Sequence, residues 1–224
     1  EGMIRETNDS GDVQSSKNIK KRNVIVKGKD LDWPEIAKYF KDKEITNLTV
    51  ERCTFKGDGF SQFCDFLKTC ANIEKFCFRF NEVPEAKRYE AIADLVGSLF
   101  NSIHLKKIRL FEPVREVKLD RWYPNVTESS AWTNALSKWQ ELEEFCIQNV
   151  AFTEKGLSSM LEALAKVSTL RALKFESCIF QTGMLTVLGE FLSNNKTLKK
   201  VSLRNTLRHI SDVRNDLKEL TDAI

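Results

Sequence analysis

The 28 residues from Leu142 to Thr169 read LEEFCIQNVAFTEKGLSSMLEALAKVST and contain two different apolar spacings. In the first part, Phe145 and Ile147 are two residues apart, the period of a strand with one buried face. In the second part, apolar residues recur at intervals of three and four, which places them on one face of a helix. The stretch therefore predicts a short strand, a turn and a helix. The residues of this helical face are Leu157, Met160, Leu161 and Leu164.

The strand part of this stretch recurs along the chain. Its pattern is one apolar residue followed by two more, three and five positions later. The first residues of the six copies are 28, 32, 37, 28 and 28 residues apart, and such equal intervals indicate an internal repeat. One strand–helix unit cannot bury its apolar face alone, so we expect the units to stack into a continuous core. The copies begin at Ile45, Ile73, Leu105, Leu142, Leu170 and Leu198.

A column of small or polar residues stands eight positions after the start of most copies. The chain leaves the strand at this point, where backbone groups lose their ladder partners. We expect side chains of this column to form hydrogen bonds with those groups. The column contains Cys53, Asn81, Pro113, Val150, Cys178 and Thr206.

The segment Leu142–Thr169 resembles a leucine-rich repeat of the ribonuclease-inhibitor-like subfamily. That family places a Thr and a nearby Gly between strand and helix, and Thr153 and Gly156 match, as does Gly59 in an earlier copy. The resemblance covers about residues 45–208. It implies an α/β solenoid shaped like a horseshoe, with parallel strands on the concave face and helices on the convex face. About six or seven repeats of ~28 residues are expected.

The third unit departs from this pattern, because Pro113 and Arg115 replace the expected residues and the interval is longer. The added stretch, roughly 116–130, contains Trp122 and Tyr123. Insertions in repeat proteins form loops on one face, often a binding face. Two interpretations stay open: a loop that covers the edge of adjacent repeats, or a loop that contacts a partner.

The two ends of the chain differ from the repeats. Residues 1–22 are polar and are expected to be disordered; their basic cluster at 17–22 is either a solvated linker or a nuclear-localisation signal. Residues 23–44 resemble a shortened first unit that caps the repeats, with Trp33-Pro34 opening a helix. The leucine-rich-repeat domain is thus predicted over 23–224, with a final helix at 210–224.

Composition and motifs exclude several classes of function. The net charge of +3 is too small to indicate nucleic acid or anionic lipid as a partner, and no apolar stretch is long enough to span a membrane. His104 and His209 are several repeats apart, and the six cysteines contain no Cys-x-x-Cys pair, so neither a metal site nor a catalytic triad is predicted. We expect a protein without a cofactor or enzymatic activity. Its free thiols are typical of the cytoplasm.

The side chains that point away from the predicted core form the candidate binding surface. They lie two, four and six positions after the start of each copy, and the second and third copies are the most basic. A cationic patch around an exposed aromatic ring is typical of protein recognition, although charged side chains also serve solubility. The predicted partner-binding residues are Lys75, Arg79, Lys107, Arg109 and Phe111, with Trp122 and Tyr123 from the insertion.

These observations predict a protein–protein recognition module that binds a protein partner through its concave face and the adjacent loop. Such a module could be the sensor or adaptor part of a larger signalling protein. The alternative is a regulator or inhibitor that covers the active site of another enzyme. In isolation, the chain is expected to be a monomer.

Overall fold

The computed structural model describes residues 3–8, 22–29, 31–87, 90–111, 130–180 and 183–206. Within these residues, one sheet of eight strands runs in chain order from β1 to β8, and six helices lie on its connections. The strands are β1 (Met3–Asn8), β2 (Arg22–Lys29), β3 (Ile45–Thr54), β4 (Lys75–Arg79), β5 (Lys107–Phe111), β6 (Glu144–Gln148), β7 (Ala172–Glu176) and β8 (Lys200–Arg204). The helices are α1 (Trp33–Phe40), α2 (Gly59–Thr69), α3 (Ala91–Ser98), α4 (Ser130–Lys138), α5 (Glu154–Ala165) and α6 (Met184–Asn194).

The strands β2 to β8 are parallel, and their register aligns the copies of the sequence pattern. Leu48 pairs with Phe76, and the same position of each later copy pairs with the next. The predicted alternation of strand and helix is therefore confirmed, and it fits a leucine-rich-repeat-like solenoid. The paired column continues through Ile108, Phe145, Leu173 and Val201.

The hydrophobic core lies between one face of the sheet and the helices. Strand residues that alternate with polar ones, such as Phe76 and Phe78, are buried there with the apolar faces of the helices. Fully burying one such side chain contributes about 1.5–3 kcal/mol. Tryptophans extend the core: Trp33 packs against Phe63 with ring centroids 4.5 Å apart, and Trp139 donates its indole N–H to the Leu99 carbonyl at 3.2 Å.

Two helices begin at side-chain caps that the sequence makes recognisable. Asp32 accepts a hydrogen bond from the Glu35 N–H at 3.0 Å, with Pro34 in the first turn of α1. Thr153 accepts one from the Gly156 N–H at 3.0 Å at the start of α5. Each cap satisfies a backbone donor that has no partner within the helix.

The column after the strands forms the expected hydrogen bonds. Asn81 donates through Nδ2 to the Val50 carbonyl at 3.0 Å, and its Oδ1 accepts from the Cys53 N–H at 2.9 Å. Thr206 donates to the Phe175 carbonyl at 3.0 Å, and the Cys178 thiol lies 3.5 Å from the Ile147 carbonyl. The prediction for this column is confirmed at these positions, each of which joins one unit to the unit before it.

One position earlier, the chain takes a left-handed conformation in unit after unit. The φ angles are between 52° and 60°. This conformation bends the chain at or near the end of each strand and directs the next residue, the column residue, into the core. The position has no signal in the sequence, because its residues share no chemistry: Arg52, Phe80, Asn149, Ser177 and Asn205.

The expectation of disorder for residues 1–22 is wrong for residues 3–8. They form β1, which pairs antiparallel with β2 through six residue pairs. The Glu6 carboxylate accepts hydrogen bonds from Arg22 and Lys43, each at 3.2 Å. Backbone pairing and this ion pair, rather than apolar burial, hold the strand, so a criterion based on apolar content misses it.

Several predictions fall outside the described residues. They are Trp122 and Tyr123 with most of the predicted insertion, the basic cluster before Arg22, and the predicted helix at 210–224. In the part of the chain that the structure does describe, no helix has the length and apolar character needed to cross a membrane.

Candidate functional site

The strand residues that alternate with the core residues form a surface that we call the polar face. Along β2 to β8 it carries eight basic and three acidic side chains, so basic residues outnumber acidic ones by a larger ratio here than in the whole chain. The basic residues are Lys27, Lys75, Arg79, Lys107, Arg109, Lys174, Lys200 and Arg204. The acidic residues are Glu51, Glu144 and Glu176.

Glu51 lies between two cations of the polar face. Its carboxylate forms ion pairs with Lys27 and with Arg79, whose Nη2 lies 2.5 Å from Oε2. The side chain is only 8% exposed. Burial alone would raise the pKa of Glu51, but Lys27 and Arg79 outweigh it and hold this pKa below its ordinary value. Arg79, predicted to bind a partner, is therefore already engaged with Glu51.

Glu144 lies between three cations. It accepts a hydrogen bond from Lys174, while the Lys107 ammonium lies 4.0 Å and the Arg109 guanidinium 3.8 Å from its carboxylate oxygens. Burial opposes its ionisation, but Lys174 and then the other cations hold the pKa of Glu144 below its ordinary value. One carboxylate cannot neutralise three cations, so this cluster keeps a positive charge.

The structure brings the predicted cations of β4 and β5 together. Lys75 pairs with Lys107 across the two strands, and both side chains are exposed. Among the described residues, Lys75 has no ion pair within 4.0 Å. The cationic centre of the polar face therefore consists of Lys75, Lys107 and Arg109, and Lys174 lies two strands further along the cross-strand row of Arg109.

The expectation that Phe111 is an exposed aromatic is wrong, because the residue is only 6% exposed. Its ring packs edge-to-face against Phe80, with centroids 5.1 Å apart. Phe80 is the exposed ring of this pair, at 59%. The Arg79 guanidinium lies 5.8 Å from the Phe80 ring centroid, which connects the aromatic pair to the cations.

Phe80 occupies an unfavourable backbone conformation. Its φ of 56° is left-handed, and a bulky side chain pays about 1–2 kcal/mol there, whereas Asn tolerates the region. The equivalent positions of two other units hold Asn149 and Asn205. Because most of the Phe80 ring faces solvent, its burial offsets little of this cost. Aligning the units by their strands would have singled out Phe80, because it is a large aromatic residue at a position that otherwise holds Arg, Asn or Ser.

Next to the aromatic pair lies a side chain with an unsatisfied acceptor. Gln148 pairs in register with Phe111, and its buried Oε1 has no hydrogen-bond partner among the residues that the structure describes. Leaving such an acceptor unsatisfied costs about 1–3 kcal/mol. Within the described residues, the ends of β5 and β6 therefore hold a polar atom that is less well satisfied than those of the column residues beside them.

The thiols of the described residues are poor nucleophiles at neutral pH. Burial raises the pKa of Cys53, Cys64 and Cys178 to about 12, and that of Cys70 and Cys146 to about 11. The nucleophile of cysteine chemistry is the thiolate, which these values suppress. His104 contacts Glu141, with Nδ1 and Oε1 2.9 Å apart, on the surface. No cluster of metal-binding side chains occurs within the described ranges.

Comparison with known proteins assigns the chain to no family. No protein-family model matches the chain, and no curated protein matches it. Among solved structures, the chain is similar to an internalin from Listeria monocytogenes, with a TM-score of 0.39 and 14% sequence identity. The match covers 79% of this chain and 52% of the internalin, so the chain spans about half the length of that protein.

Proposed function

We propose that this protein is a non-enzymatic protein-recognition module that binds a protein partner through the polar face. The observation that carries the proposal is the cationic centre of exposed Lys75, exposed Lys107 and half-buried Arg109, which the carboxylate of Glu144 does not neutralise. Trp122 and Tyr123 are proposed to contribute from the neighbouring insertion. Arg79 lies beside this centre on β4 and is proposed to contribute indirectly, through its contacts with Glu51 and Phe80.

We also propose a detailed architecture for the chain. It is a horseshoe of six or seven leucine-rich repeats of the ribonuclease-inhibitor-like subfamily, with a capping unit at 23–44 and a final helix at 210–224. A rigid repeat array supports this function because each strand adds one row of side chains to a continuous surface. A cytoplasmic location and a monomeric state complete the proposal.

Affinity capture from a lysate of the source organism, read by mass spectrometry, tests the proposed function. The bait is the full chain, compared with Lys75→Gln/Lys107→Gln. The matched control is Lys155→Gln/Lys166→Gln, which removes two exposed lysines at α5 and its C-terminal end. Both variants change the net charge equally. A partner that binds the polar face should be reduced about tenfold by the first variant only.

Equal recovery of all partners by both variants would contradict recognition through the polar face. The alternative function is a regulator that covers an enzyme's active site. This alternative predicts that a captured partner is an enzyme and that it loses activity when the chain is added.

A further inference from the structure

We propose that the partner presents an acidic segment that also carries an apolar side chain. Lys75, Lys107 and Arg109 would contact its carboxylates, and Phe80 would contact its apolar side chain. This inference rests on the proposed function and adds the chemistry of the partner. The two parts of the surface are neighbours, because Phe80 follows β4 directly and packs against Phe111 at the end of β5.

The charge of the polar face selects carboxylates. Lys107, Arg109 and Lys174 share the single carboxylate of Glu144, and Lys75 adds a fourth cation beside them. Further carboxylates from a partner would neutralise this excess, and such complementarity favours association and orients it.

The distribution of charge favours an acidic protein segment over a nucleic acid. Glu51, Glu144 and Glu176 interrupt the cations on β3, β6 and β7. A continuous phosphate backbone crossing the strands would meet these carboxylates, whereas a protein segment places its charges individually. The apolar ring of Phe80 beside the cations also suits a segment that mixes acidic and apolar side chains.

The spacing of the cations sets the spacing of the groups they would bind. Lys75 and Lys107 lie on adjacent strands, about 4.8 Å apart in backbone distance. Arg109 is two residues beyond Lys107, about 6.6 Å along the strand. Acidic side chains about 5–7 Å apart, as on one face of a helix, would therefore each meet a different cation.

The backbone conformation of Phe80 supports the proposed apolar contact independently of the charges on the polar face. A left-handed, largely exposed phenylalanine is unfavourable for the fold, while Asn occupies the equivalent position in other units. The left-handed backbone recurs in unit after unit and is therefore imposed by the fold, and what distinguishes this unit is the bulky, exposed ring that occupies the position. Exposed aromatic residues next to Arg are also typical of the centres of protein interfaces.

Selection of binding peptides from a random 12-residue display library tests the proposal with a defined probe. The library is panned on the immobilised full chain, and the most enriched peptides are synthesised for affinity measurements. We expect them to contain more acidic than basic residues and at least one aliphatic or aromatic side chain. Phe80→Asn and Lys75→Gln/Lys107→Gln should each weaken their binding about tenfold.

Phe100→Asn is the matched control, because it removes an exposed phenylalanine that contacts Lys138 of α4. It should leave the affinity unchanged. Thermal unfolding of Phe80→Asn should occur at the wild-type temperature or above, because Asn is favoured at a left-handed position. A large decrease would show that Phe80 is needed for folding rather than for binding, and would overturn its role here.

The outcomes separate this inference from the proposed function. Enriched peptides that need Lys75 and Lys107 but are neutral or basic would overturn the partner chemistry and leave the proposed function standing. Peptides that bind all variants equally would contradict both. The inference is also overturned if no acidic sequence is enriched, or if a single-stranded oligonucleotide binds the polar face more tightly than the peptides do.

Discussion

At the scale of single residues, Asn81 shows how a polar side chain stabilises the stack of units. It is 4% exposed and serves two backbone groups at once, the Cys53 N–H and the Val50 carbonyl. Both groups lie at the end of the paired ladder between β3 and β4, whose last pair is Glu51 with Arg79. The Asn81 amide therefore supplies two hydrogen bonds beyond the end of the backbone ladder. A side chain of similar size without hydrogen-bonding groups could not supply them.

Replacing Asn81 with Ala should lower the free energy of unfolding by about 2–4 kcal/mol, because it leaves a buried donor and a buried acceptor without partners. Denaturant unfolding monitored by circular dichroism measures this loss. Asn72→Ala changes an exposed asparagine and should cost less than about 0.5 kcal/mol. Similar losses for the two variants would show that the two hydrogen bonds of Asn81 do not stabilise the fold.

The backbone conformation and the exposure of Phe80 could not be predicted from single residues of the sequence. The column with Asn81 could be predicted, because several of its members are polar at a position that also leaves the strand. The left-handed position before it has no common side-chain chemistry, since the constraint acts on the backbone. For the same reason, alternation along β5 predicted an exposed Phe111 but could not predict that the neighbouring Phe80 packs over it.

At the scale of elements, Glu51 connects three strands. It belongs to β3 and pairs with Lys27 of β2 and Arg79 of β4. Because the pKa of Glu51 is held below its ordinary value in the folded chain, its charge stabilises the fold. That contribution is complete above the ordinary pKa of about 4.5 and is lost as the pH falls through the lower pKa of the folded state.

Glu51→Gln should therefore lower the free energy of unfolding by about 2 kcal/mol at pH 7 and by much less at pH 3. Denaturant unfolding of the variant and of the wild type at both pH values measures the difference. Glu190→Gln, an exposed residue of α6, is the control and should have little effect at either pH. A cost that is independent of pH would show that the charge of Glu51 does not stabilise these strands.

The first strand shows why one element escaped prediction. The repeats were predictable because each strand and helix has an apolar face with its own period, as in Leu142–Thr169. By contrast, β1 buries little apolar surface: Met3 and Ile4 are exposed, and Glu6 pairs with Arg22 and Lys43. It covers the edge of β2 by backbone pairing, which leaves no periodic signal in the sequence.

At the scale of the whole molecule, the two faces of the sheet have opposite chemistry. One face joins the helices in a continuous apolar core, and the other carries the excess positive charge. That Lys75, Lys107 and Arg109 lie close together could be predicted from the sequence, because parallel units in register align equal positions. The ion pair of Arg79 with Glu51 could not be predicted, because it depends on which side chains meet across strands.

Photo-crosslinking tests the central claim, recognition through the polar face, most directly. Benzoylphenylalanine replaces Phe80 beside that face in one variant and Phe100 near α4 in another, and each is irradiated in lysate. Recognition through the polar face predicts a specific partner that is crosslinked from position 80, absent from position 100, and lost when Lys75→Gln/Lys107→Gln is added. Crosslinking of the same proteins from both positions, or from position 100 alone, would contradict it.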